Sequence, residues 1–198
     1  MCISQGVSIK TFMIGALSSF ILYQKGHWLQ ANNLFMLALM QLAEYFMWKG
    51  IDCPSFFNKI GNLLGLFALL MQCVSIPIIT KNIHPVHLSI ILFFIYIAMK
   101  YIKADFPCAK EDSRGHLRWG FWDIVKRSDM IIGLPLYFYG IAGLVGTPLF
   151  LKILYTFILL FSVNVTGANL YNVDKYGSLW CYMANIGGPL LVFKTIIS

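Results

Sequence analysis

Glu44 is the residue in this chain whose position asks for a chemical explanation. It lies about a turn from the end of Asn33–Trp48, NLFMLALMQLAEYFMW, an otherwise apolar run. A carboxylate at membrane depth costs about 2.5–3.5 kcal/mol on insertion scales, so an acid there is by default a functional residue. Gln41, Glu44 and Trp48 recur at i, i+3 and i+7 and share one helical stripe. Further along, Asn62, Asn164, Ser178, Trp180 and Asn185 add amides, a hydroxyl and an indole to other apolar segments. One acid among amides can bind a proton, a small cation or an amine, and amide donors stabilise its charged form while burial opposes it. The plainer role for the same residues is interhelical hydrogen bonding, worth about 0.6–2 kcal/mol per bond.

The elements that carry these residues are membrane spans. The chain of 198 residues is 59% hydrophobic and 12% charged, with mean hydropathy +0.73. Soluble domains are closer to 45–50% apolar and about 25% charged. Seven apolar segments can be marked: Ser8–Tyr23, Asn33–Trp48, Gly61–Thr80, Val86–Tyr101, Met130–Val145, Pro148–Asn169 and Leu179–Ile197. The expected fold is therefore all-α, a single seven-transmembrane-helix bundle over 1–198. Several segments are short; about 16 residues cover about 24 Å, which suits a thin, endoplasmic-reticulum-like or viral membrane. The start, MCISQGVSIK, lacks the basic region of a signal peptide, so the first span is expected to direct its own insertion.

Basic residues set the expected orientation. Lys10, Lys49, Lys59, Lys100, Lys103, Lys110, Arg114, Arg118, Lys126, Arg127 and Lys175 fall on one side, and Lys25, Lys81, Lys152 and Lys194 on the other. Eleven against four places the N-terminus in the cytosol and the C-terminus outside. The same bias accounts for the net charge of +7 without nucleic acid. On this topology the polar residues of spans two, three, six and seven gather in the inner leaflet. A cytosol-open vestibule around Glu44 follows, with Trp48 and Trp180 at its mouth.

The loop at about 103–129 is expected to be a cytosolic amphipathic helix on anionic headgroups. Leu117, Phe121 and Ile124 would form its apolar face, beside Trp119 and Trp122. The fifth span carries Gly133, Gly140 and Gly143, with Gly146 just past its end, a spacing that permits close helix approach. Gly65/Gly177, Met71/Met183 and Pro77/Pro189 hint at a repeat relating spans three and seven. Five scattered cysteines (Cys2, Cys53, Cys73, Cys108, Cys181) show no metal spacing and suggest no disulfide framework. Cys2 and Cys108 are candidates for palmitoylation. His84 and His87, three apart, lack a third ligand nearby, and no metal or other cofactor is implied.

The blocks QLAEYFMWKG, opening at Gln41, and YGSLWCYMAN, ending at Asn185, resemble uncharacterised multi-pass membrane proteins of large DNA viruses and some algae. That resemblance implies that Gln41, Glu44, Trp48, Ser178, Trp180, Cys181 and Asn185 are family-defining positions; it implies no activity. The functional expectation is a transporter or channel for a proton, cation or small polar solute, with Glu44 as its binding group. The alternatives are a structural or assembly protein of a viral or intracellular membrane, and a lipid-modifying enzyme using His84, His87 or His116. The partners are the bilayer, anionic headgroups, a small solute or ion and, in an oligomer, further copies of the chain.

Overall fold

The structure, a computed structural model, describes residues 4–111 and 117–126, together with 128, 129, 132, 133, 136, 137, 140, 189, 190, 192 and 193. Four long helices run in chain order: α1 (Gln5–Gln24), α2 (Trp28–Lys49), α3 (Phe56–Ile79) and α4 (Pro85–Lys103). Short turns join them and each packs on its predecessor, so the chain runs back and forth. Two two-residue strands follow, β1 (Lys110–Glu111) and β2 (Leu117–Arg118), paired antiparallel with Lys110 opposite Arg118. A 3-10 turn over Gly120–Ile124 completes a strap across the end of the bundle.

The expectation of a seven-helix bundle is corrected here. The described chain has four helices, and three of them, α1, α3 and α4, are long and apolar enough to cross a membrane. The physical reason is in α2. Its 22 residues have the length, but Gln30, Asn32, Asn33, Gln41 and Glu44 make it the most polar of the four. Apolar runs alone therefore overcounted the spans. Of the expected fifth span only 132, 133, 136, 137 and 140 are described, and of the seventh only 189, 190, 192 and 193. The sixth lies outside the described residues.

Which residues point inward identifies the solvent. In α1 the buried stripe is Ser8, Thr11, Gly15, Ser18, Ser19 and Leu22, while Leu17 is 62% and Phe20 59% exposed. Small residues inside and large apolar ones outside would be a liability in water. In lipid it is the expected arrangement, because close backbone approach drives association where burial of apolar surface cannot. A Cβ on Gly15 would lie 2.8 Å from that of Ala38 on α2, and the Ser19 hydroxyl donates to the Ala31 carbonyl at 2.6 Å. The outer faces of α3 and α4 are likewise apolar, with Phe67, Leu88, Leu92 and Ile95 exposed.

Polar pairs tie α2 to α3. Asn32 donates to the Ser75 hydroxyl at 2.7 Å, and Gln72 donates to the Met40 sulfur at 2.7 Å while accepting from the Tyr137 hydroxyl at 2.6 Å. At the start of α4, Pro85 occupies the first turn, and the His84 N–H donates to His87 Nδ1 at 2.9 Å in a reciprocal cap. The two histidines thus satisfy helix-end groups. Among the described residues no three His, Cys, Asp or Glu side chains cluster as metal ligands.

Candidate functional site

Glu44 lies on the buried face of α2 beside Gln41 and Met47, and is 2% exposed. Two glycines of α3 shape its surroundings. A Cβ on Gly61 would lie 2.7 Å from both the Ala43 carbonyl oxygen and the Met47 nitrogen, so glycine is what lets α3 touch the backbone of α2 here. One turn on, a Cβ on Gly65 would meet the Trp119 ring at 2.8 Å. The bare backbone of Gly65 makes the slot that receives this indole.

Trp119 comes from the strap, not from a helix. Its Nε1–H donates to Glu44 Oε1 at 3.3 Å, and the ring itself is 4% exposed. Phe121 packs edge-on against it with ring centroids 5.4 Å apart, and Phe121 is 1% exposed. The segment expected to lie as a helix on headgroups therefore turns its aromatic residues into the bundle. Gly120 explains why: a side chain there would collide with the Pro107 carbonyl, so the strap folds back on itself at glycine.

Asn58 and Asn62 bolt this strap down. The Asn58 amide donates to the carbonyls of Gly50 at 3.0 Å and Ala109 at 3.1 Å, and its oxygen accepts from the Ala109 N–H at 2.8 Å. Asn62 donates to the Asn58 side-chain oxygen at 2.9 Å and accepts from the Phe121 N–H at 3.3 Å. Both asparagines are fully buried. The Asn62 side chain is thus engaged by Asn58 and the strap.

A disulfide joins Cys53, in the turn after α2, to Cys108 of the strap across 55 residues. This corrects the reading of Cys108 as a candidate for acylation. Closing a loop of that length removes about 4 kcal/mol of unfolded-chain entropy in the loop-closure account. The remaining described cysteine, Cys73, is buried and free, with its sulfur 3.6 Å from the Tyr137 carbonyl. Cys2 and Cys181 lie outside the described residues.

Of the residues singled out from sequence, the structure brings Glu44, Gln41 and Asn62 into the interior, with Gln41 1% exposed. Trp48 is half-buried at the edge of the core near the end of α2. Asn164, Ser178, Trp180, Asn185 and His116 lie outside the described residues. Sequence reasoning missed Trp119 as the partner of Glu44 and Asn58 as the hub of the strap. The Asn58–Asn62–Gly65 stripe was legible as a helix face, and Cys53 and Cys108 fell on one side of the expected topology. Those two signals, taken together, could have found this end of the bundle.

A second charged cluster fixes the far side of the strap. Asp129 takes the Lys100 ammonium at 2.6 Å, the Lys126 N–H at 2.8 Å and the Tyr96 hydroxyl at 3.2 Å. Burial pushes the Asp129 carboxyl up, but the Lys100 contact, helped by Lys126 and Tyr96, outweighs it and holds the group below the usual carboxylate range. This site is structural: every donor around the acid belongs to an element it ties down.

Compared with protein-family models, curated proteins and solved structures, the chain matches none. The functional reading therefore rests on the geometry around Glu44.

Proposed function

We propose that the protein is a membrane transporter or channel for a proton, a cation or a small polar solute, with Glu44 as its binding group and Trp119 as the group that covers it. The observation that carries this reading is the 3.3 Å contact between an interior carboxylate and an indole N–H delivered by a separate segment. A carboxylate has several acceptor positions, of which the indole N–H takes one, and its negative charge is what a proton or a cation binds. The covering group belongs to the strap, outside the four helices.

The test is flux in proteoliposomes. Glu44→Gln keeps the size and the acceptor facing Trp119 while removing the charge, and is expected to leave a folded protein without flux. Unchanged flux in that variant would end the reading.

A second reading, a structural or assembly protein of an intracellular or viral membrane, is favoured by the Asn58–Asn62 network. Those amides hold helices and strap together through their bonds to Gly50, to each other and to Phe121. Under it, Glu44→Gln changes thermal stability or assembly and nothing else.

A further inference from the structure

The Cys53–Cys108 disulfide and the charge-derived orientation disagree, and the disagreement is informative. Both cysteines lie at the end of the bundle that the excess of Lys and Arg assigns to the cytosol, where thiols are kept reduced. The fold nevertheless builds a seat for this bond. Asn58 bridges the Gly50 carbonyl, three residues before Cys53, to both backbone groups of Ala109, the residue after Cys108. Side-chain hydrogen bonds from a buried amide thus bring the two chain segments together independently of the sulfurs. Cys53 is exposed, so an exchange partner can reach it.

We propose that the strap end of the bundle faces an oxidising compartment, the lumen of an organelle or the exterior, and that the disulfide is formed there as a permanent fastening of the strap. The two thiols lose two protons and two electrons to the disulfide of an exchange oxidoreductase, which leaves as a dithiol. A charge bias is a tendency read by the insertion machinery, whereas a disulfide persists only where the compartment lets it. The start of α1, at Gln5, lies at this same end, because four helices return the chain to the side from which α1 began. Granting the role proposed for Glu44, on which this corollary rests, its covered face is served from the lumen or the exterior.

The experiment uses the full chain in a eukaryotic cell. Lysis into excess N-ethylmaleimide, followed by reduction and a second, mass-distinct alkylating agent, reports the state of each cysteine by peptide. Cys53 and Cys108 are expected to carry only the second label. In parallel, a flexible N-glycan acceptor inserted after Glu111 is expected to be glycosylated, and one inserted in the Lys81–Ile83 turn is expected to stay bare. First-label modification of both cysteines overturns the proposal, as does glycosylation of the turn acceptor in place of the strap acceptor. Where insertion prevents folding, alkylation of the unaltered chain decides alone. Neither readout involves flux, so failure here leaves the role of Glu44 standing, and failure of flux leaves the topology standing.

Discussion

A single side chain, Asn58, pairs with both backbone groups of Ala109: its amide oxygen accepts the N–H at 2.8 Å and its amide nitrogen donates to the carbonyl at 3.1 Å. The pair imitates one rung of a sheet between a helix and a strap. Because the same amide also donates to Gly50, removing it orphans backbone groups on two segments. Each buried group left without a partner costs about 1–3 kcal/mol. Asn58→Ala is expected to destabilise the protein by at least about 3 kcal/mol, seen as a lower midpoint of thermal unfolding in detergent. A loss under about 1 kcal/mol would show that the network is not what holds the strap.

The two glycines of α3 should respond differently to the same methyl group. At Gly61 the added Cβ meets the backbone of Ala43 and Met47, which cannot move without α2. At Gly65 it meets the Trp119 ring, which can shift. Overpacking typically costs about 1–3 kcal/mol, and Gly61→Ala should fall at the high end while Gly65→Ala falls lower. Melting both variants beside the parent checks the order, and a reversed order contradicts the placement of the strap.

If Trp119 covers Glu44, shrinking it should uncover the acid. A lipid-soluble carbodiimide, which modifies carboxyl groups in apolar surroundings, is expected to label Glu44 several-fold faster in Trp119→Ala than in the parent. Trp119→Phe, which keeps a smaller aromatic ring and deletes the donor, should give an intermediate rate. Equal rates in all three proteins mean that the indole does not control access.

Acid should loosen the Asp129 cluster in a defined window. The folded carboxyl titrates below its unfolded value, so its contribution is fully present above the ordinary aspartate range, about 3.9. It is lost as pH falls through the lower, folded value. The melting temperatures of the parent and Asp129→Asn are therefore expected to differ by a constant amount above about pH 5 and to converge below about pH 4. A difference that grows on acidification would contradict the sign.

Helix positions were legible because they are written in local periodicity. Expected spans at Ser8–Tyr23, Asn33–Trp48, Gly61–Thr80 and Val86–Tyr101 lie inside or within a residue of α1 to α4. Their ends extend further in the structure because polar residues such as Ser4 and Lys103 cap or finish helices without being apolar. The number of spans was not legible that way. Hydropathy weighs each run alone, and the amides and acid of α2 are tolerated only because neighbours bond to them, as Ser75 does by accepting from Asn32 and Trp119 by donating to Glu44.

By itself, then, the sequence determined the apolar character of the chain, the course of its first four helices and the presence of one acid in an interior stripe. Those are properties of composition and of a repeat a few residues long. The tertiary structure decided what the acid touches and how the end of the bundle is closed. Trp119 reaches Glu44 across 75 residues and Cys108 reaches Cys53 across 55. No period of 3.6 carries such contacts. They depend on Gly65 leaving room for a ring, Gly120 letting the strap turn and Asn58 matching one distant peptide, a fit of shape and hydrogen bonding that exists only once the helices have packed.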